Sequence, residues 1–380
     1  MVQSLTSAKS KFLSLVLFFS RNVSLRTWAE VGMFDREVAL YLKHQKEGLK
    51  ISFLTYGDES ELEYSERIPG IDILYNKWGL PLPLYFLLIP LLHSGALRRA
   101  SVLKTNQLSG GRIALWSSRL WRKPLIVRCG NIPSDMTAQT HIKNPVHMRR
   151  LRRYEAKMFH AATAIIVAAP AMRDYITRTY SVLDSLIHVV SNHVLTDLFR
   201  PKVVSSLPNR LCFMGRLEKQ KNVETLVEAC SGTGLDLVLI GNGSLRNDIK
   251  ALAMNSGVNV TFMGNLPHAE LPYQLCKSRI YVHATHYEGS PPKALLEAMS
   301  CGLPVICSNV PGIGEFIIHG VTGWLCGTSR EEIRNAIDIV LRDGDLQERL
   351  GRNAREFIVK SFTLDEAARN EVAILKTVAL

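Results

Sequence analysis

YVHATHYEGSPPKALLEAMSCGLPVICSNVPGIGE, residues 281–315, carries the fold in its order of residue types. A β-branched run gives way to a Gly and Pro loop, then to helical spacing, then to a second apolar run. Pro292 suits the first turn of a helix that reaches Ser300, with Gly302 and Pro304 ending it. Lys293 and the free amides of that first turn then face whatever lies beyond the strand end. Glu288 precedes the helix and Glu297 lies inside it, so the two carboxylates serve different parts of one elongated ligand. Carboxylates accept hydrogen bonds from sugar and ribose hydroxyls. His283 and His286 follow the strand end and read as packing or loop residues. Cys301, between Ser300 and Gly302 without a neighbouring base, reads as a buried thiol.

Two segments before this one share the same punctuation. In FMGRLEKQKN, residues 213–222, a strand ends at Gly215, where the backbone can be approached closely, and a helix begins near Asn222. Arg216 and Lys221 stand beside that helix start, a combination suited to a diphosphate; two solvated charges are the plainer account. In LVLIGNGSLRNDI, residues 237–249, Gly241 and Gly243 close a strand and Ser244 caps a helix. A tight turn explains them, and close approach to a nucleotide is the functional addition.

The alternation of short aliphatic runs with amphipathic stretches occurs twice, as βαβ units around parallel sheets require. In the first half the strands read as Phe12 to Ser20, Lys50 to Thr55, Leu125 to Arg128, Ala164 to Val167 and His188 to Val190, with helices over Glu30 to Lys46, Val146 to His160 and Pro170 to Tyr180. Residues 200–209 lack periodicity and read as a linker. The second half resumes with Arg210 to Met214, Asp236 to Ile240, Val258 to Met263 and Ile280 to Ala284. The expectation is an α/β protein with Rossmann-like domains over 1–200 and 201–362, facing each other across a cleft. The last helix, within 363–380, packs back toward the first domain. At 380 residues the chain has room for two domains of about 150 to 200 residues.

Composition is that of a globular protein, 47% hydrophobic and 21% charged. The net charge of +12 is uneven: residues 1–200 hold 27 Lys or Arg against 15 Asp or Glu, while residues 201–380 hold 19 of each. An excess confined to one half points to a polyanion or an anionic membrane surface there, with simple solubility as the alternative. Seven cysteines without a CxxC pair fit reduced thiols in a cytoplasmic protein and speak against structural zinc. The apolar run after Lys9 and Lys11 lacks a small-residue cleavage site and reads as the first strand. A second run, Leu80 to Leu92, is broken by Pro81, Pro83 and Pro90 and is too short to cross a bilayer; it reads as an interfacial segment or a buried helix.

Taken together, FMGRLEKQKN, LVLIGNGSL, the paired glutamates with LLEAMSCGLPVI, the trailing PGIGEFI and HGVTGWL, and VVSNHVLTDLFRP at 189–201 resemble family 4 of the retaining glycosyltransferases. The resemblance is strongest over residues 210–326. It implies the GT-B fold of two facing Rossmann-like domains with a nucleotide-sugar cleft between them. It further implies transfer of a hexose to a glycan or lipid-linked acceptor, in polysaccharide or glycolipid synthesis, without a metal or other cofactor. Arg216 and Lys221, with Gly215 and Gly241, would bind the donor diphosphate, and Glu297 the ribose. Glu288 would hold the transferred sugar, with Gly289 and Ser290 shaping its pocket and Lys293 facing the phosphates. The catalytic set is Glu288, Arg216 and Lys221.

The chain departs from the family in three places. Eight residues separate its two glutamates where seven are usual, as though a proline had been added in Ser290 to Lys293. Its first βα loop, SRNVSLRTWAEVGMFDRE, offers only Gly32 in place of a glycine pair. Arg128 and Cys129 stand where many members carry a histidine. On the acceptor side, Gly32, Arg128 and the cluster Arg149, Arg150, Arg152 and Arg153 are candidates for an anionic lipid or the acceptor; a solvated basic helix also accounts for the cluster. Trp116 and Trp121, flanking Arg119, suit a membrane surface or the core. Asp343 and Asp345 sit in a helix connection and are not a metal pair. Two other classes stay open: epimerisation or phosphorolysis on the same fold, and a nucleic-acid-binding module, which lacks a reading motif.

Overall fold

A computed structural model of the chain describes residues 13–139 and 144–379; Lys9, Lys11 and Phe12 lie outside them. Two parallel sheets form the frame. The first comprises β1 (Ser14–Phe18), β2 (Lys50–Leu54), β3 (Ile71–Leu74), β4 (Val102–Thr105), β5 (Leu125–Cys129), β6 (Ala164–Val167) and β7 (Ile187–Val189), in the order β3-β2-β1-β4-β5-β6-β7. The second comprises β8 (Arg210–Met214), β9 (Asp236–Ile240), β10 (Asn259–Gly264), β11 (Ile280–His283), β12 (Val305–Ser308) and β13 (Trp324–Cys326), in the order β10-β9-β8-β11-β12-β13. Strand order reverses between β1 and β4 in one sheet and between β8 and β11 in the other. Open α/β sheets bind ligands at such switch points.

Both faces of each sheet are covered over its central strands, which is why those strands are largely apolar rather than alternating. Leu15 and Leu17 of β1 pack with Trp28, Phe53 and Leu375 on one face, Val16 and Phe18 with Tyr85, Ile113 and Met158 on the other. In the second sheet Leu211 and Phe213 meet Leu226 and Ile337, while Cys212 and Met214 meet Leu296 and Met299. Strands β3, β4 and β13 escape the sequence reading. Asp72 breaks the run in β3, β13 has three residues, and β4 holds a charged side chain, Lys104, that is nevertheless fully buried.

Lys104 is buried because its ammonium meets Glu371 on the last helix, Leu364–Ala379, while His44 Nε2 lies 3.8 Å from the same carboxyl. Burial raises the Glu371 carboxyl, and Lys104 with His44 outweighs it, bringing it down to about 2. That helix therefore packs on the first sheet, reached by a second crossing of the chain. The two crossings run side by side: the Val194 amide donates to the Phe362 carbonyl at 2.9 Å, and Arg355 binds the carbonyls of Thr196, Phe199 and Ser300.

The single helix expected over Glu30 to Lys46 is two, Leu25–Glu30 and Phe34–Lys46. Gly32 breaks it with φ of +72°, and a Cβ there would lie 2.7 Å from the Leu266 carbonyl oxygen of the other sheet's loops. Ser244 does not cap the following helix, which starts at Arg246; its hydroxyl and amide bind Glu218 instead. Asp343 caps the helix Gly344–Ser361 through the Leu346 amide.

Candidate active site

The loops after β8 and β11 leave the second sheet on either side of its switch point, and they bring Lys221 and Glu288 together. Gly215 and Gly241 form the floor, packed so closely that a Cβ on Gly241 would come within 2.1 Å of the Gly215 oxygen. Gln220 Nε2 donates to the Tyr287 carbonyl at 2.9 Å, tying one loop to the other. Lys221 Nζ then bonds Glu288 Oε1, which also accepts from His283 Nε2 at 3.1 Å. Gly312, with φ of +80°, lies under the Glu288 carbonyl, where a Cβ would come within 2.6 Å. Arg216 is exposed at the lip and forms no ion pair among the described residues.

His283 is more than packing. Its ring stacks with Phe213 and Tyr281, and the Tyr281 hydroxyl lies 3.1 Å from Nδ1, so the second nitrogen is held on Glu288. Burial lowers the affinity of that imidazole for a proton. For Glu288, burial works to raise the carboxyl, and the His283 hydrogen bond with the Lys221 charge outweighs it, leaving the carboxyl below its ordinary value.

Glu297 lies in the helix Lys293–Ser300 and is almost fully buried. Its Oε1 accepts from Arg36 Nη1 at 3.2 Å and lies 3.1 Å from His268 Nε2; its Oε2 is buried without a hydrogen bond. Arg36 comes from the helix Phe34–Lys46 of the first sheet, so this carboxylate is clamped from both halves. Lys293 does not face a free cleft as expected. Its ammonium bonds Glu37, the neighbour of Arg36, because the first turn of its helix abuts that of the Phe34–Lys46 helix. Burial lowers Lys293 to about 8 against the opposing pull of Glu37.

The loop with the extra residue closes over the same region. Ser290 Oγ donates to the Gly130 carbonyl at 3.2 Å, Asn192 Nδ2 to the Pro291 carbonyl at 3.0 Å, and Gly289 sits against Asn131. Pro291 and Pro292 offer no amide in this loop, and the Pro291 carbonyl is turned toward Asn192. Arg128, at the end of β5, is buried, and its charge acts on Glu37, Lys293 and His193. Gly32 lines a cavity of about 300 Å³ with Phe34, Asp35, Arg67, Asn265 and His268. Arg149, Arg150, Arg152 and Arg153 lie on an outer helix, Pro145–Ala161, apart from these groups. No set of three or more His, Cys, Asp or Glu among the described residues is arranged to hold a metal ion.

Arg36, Glu37, Gln220 and His268 were not foreseen from the sequence. DRE at 35–37, separated from Gly32 by two residues, was the available signal for the first two; nothing marked His268. The arrangement offers two buried carboxylates able to accept from hydroxyls, each with a cation held against it.

Residues 196–357 match the family described as Glycosyl transferases group 1, and residues 37–198 that described as Glycosyltransferase Family 4. An uncharacterized glycosyltransferase of Methanocaldococcus jannaschii is 31% identical over 170 residues, 42% of this chain and 43% of the relative. Alpha-maltose-1-phosphate synthase of Mycobacterium tuberculosis is 28% identical over 250 residues, 57% of this chain and 64% of the relative. The chain thus aligns with less than two thirds of the length of these relatives. In structure it is similar to a sucrose-phosphate synthase from Thermosynechococcus elongatus, at TM-score 0.81 and 20% identity over 96% of this chain and 99% of the other. Anabaena HepE, solved in complex with UDP and glucose, matches at TM-score 0.75 and 16% identity over 96% and 100%. The shared feature is the GT-B fold.

Proposed function

The chain belongs to the group 1, family 4 glycosyltransferases, and from that premise we propose that it moves a hexose from a nucleoside-diphosphate sugar to a glycan or lipid-linked acceptor, retaining the anomeric configuration. The observation that carries this reading is the pair of clamped carboxylates, Glu288 and Glu297, at the switch point of the second sheet. Glu297, with a buried oxygen to spare, takes the ribose hydroxyls, and the cavity beside His268 takes the base. Glu288 takes hydroxyls of the sugar.

Arg216 and Lys221 face the diphosphate. As the bond from the anomeric carbon to the phosphate oxygen breaks, its electron pair stays on the leaving diphosphate, whose charge these cations stabilise. The acceptor oxygen then bonds to that carbon from the same face and passes its proton to the departing phosphate oxygen, so no protein base or metal is needed. We place the enzyme in polysaccharide or glycolipid synthesis in the cytoplasm.

Thermal unfolding in the presence of UDP, GDP and ADP sugars tests the reading, because a bound donor raises the melting temperature by mass action. A rise with one nucleotide class, followed by acceptor-dependent release of that nucleotide, is expected. No rise with any donor sinks it. Turnover of the donor without any glycan or lipid acceptor assigns the site to epimerisation when it needs no addition, or to phosphorolysis when it needs inorganic phosphate.

A further inference from the structure

The helix Leu82–Leu92, LPLYFLLIPLL, is apolar all round, and such a helix calls for apolar surroundings on every side. The fold supplies them on one side only, where Tyr85 and Ile89 enter the core of the first sheet. On the other side Leu84, Leu87 and Leu91 recur at i, i+3 and i+7 and are 44%, 53% and 55% exposed. Trp78 lies exposed just before the helix.

The neighbouring helix Gly111–Trp121 continues this face. Trp121 Nε1 donates to the Pro90 carbonyl at 2.9 Å, which fixes the two helices side by side, and Trp116 and Leu120 are exposed beyond it. Next comes the helix Pro145–Ala161, across a groove of about 610 Å³ lined by Arg112, Arg119, Arg150, Arg153 and Lys157. All five are exposed, and none forms an ion pair with a carboxylate among the described residues. Residues 73–134, which include two of these helices, hold nine Lys or Arg and no Asp or Glu.

We propose that this three-helix face docks on the surface of an anionic phospholipid bilayer. The leucine row enters the boundary between headgroups and acyl chains, the tryptophans lie at headgroup level, and the arginines of the groove hold lipid phosphates. Charge selects this occupant over a second copy of the chain, since two such faces repel each other. The leucine row selects it over a polynucleotide, which would satisfy the arginines and leave the leucines in water. The face lies on outer helices of the first sheet, apart from Glu288 and Glu297, and is independent of the transfer reading.

Sedimentation of the full chain with vesicles tests it. Binding is expected to phosphatidylglycerol vesicles at low salt, weakened as salt rises, and far less to phosphatidylcholine. Arg150→Glu with Arg153→Glu lowers the bound fraction at least about tenfold, and Leu87→Glu with Leu91→Glu does likewise. Both variants keep the wild-type melting temperature and donor response, so loss of docking stays distinct from loss of the cleft. No binding to phosphatidylglycerol, or equal binding to both lipids, overturns the proposal. A dimer split by the leucine variant, or an oligonucleotide bound in place of vesicles, assigns the face elsewhere and also overturns it.

Discussion

Glu288 and Glu297 are clamped alike, each by one cation and one imidazole, yet the clamps have different origins. Glu288 takes Lys221 and His283 from loops and strands of its own sheet. Glu297 takes His268 from its own sheet and Arg36 from the opposite one, with Glu37 and Lys293 repeating the contact one turn away. The first site is therefore set by one half of the molecule folding correctly. The second exists only when the two halves stand in this relation.

Loss of either clamp should stop transfer, and this is the largest effect. Lys221→Ala lowers kcat by roughly a hundred- to a thousandfold, and Glu297→Ala abolishes donor-dependent transfer, both with unchanged circular dichroism. Wild-type turnover in both variants breaks the site assignment.

The two clamps part company in shape. Arg36→Ala leaves a buried carboxylate short of its cation and costs roughly 1–3 kcal/mol in urea unfolding. Small-angle scattering should report a larger radius of gyration for it, whereas Lys221→Ala leaves the radius unchanged. Equal radii in both variants erase the distinction.

Acid probes the cross-sheet contact through Glu37. Burial works to raise its carboxyl, but Lys293 and Arg36 hold it well below the ordinary 4.5. Below 4.5 the unfolded chain takes up the proton first, so stability falls as pH drops and is flat above. Glu37→Gln should reduce that slope, by at most about 1.4 kcal/mol per pH unit, in urea midpoints between pH 3 and 4.5. An unchanged slope shows that Glu37 carries none of it. The smallest effect belongs to Asn192→Ala, which removes one bond to the Pro291 carbonyl and costs about 0.5–1.5 kcal/mol.

The sequence was legible where function rests on local spacing. Glu288, Arg216, Lys221 and the glycines lie in the turns that follow strands, and Glu297 on the helix after one of them, where the punctuation is written in a few consecutive residues. The partners of those groups were not legible, because Arg36 and His268 meet Glu297 from 261 and 29 residues away in the chain. Lys104 shows the same limit within the fold: a lysine argues against a buried strand until Glu371, 267 residues later, is placed beside it.

The unbonded Oε2 of Glu297 has a thermodynamic reading. On the proposed ribose contact, an arriving hydroxyl meets an oxygen already buried by folding and does not bear the cost of drying its acceptor. The contact then counts nearly in full, while a ligand without that hydroxyl finds an acceptor that neither it nor solvent can satisfy. On that reading, selectivity at this point is built into the folded shape of the protein before any ligand enters.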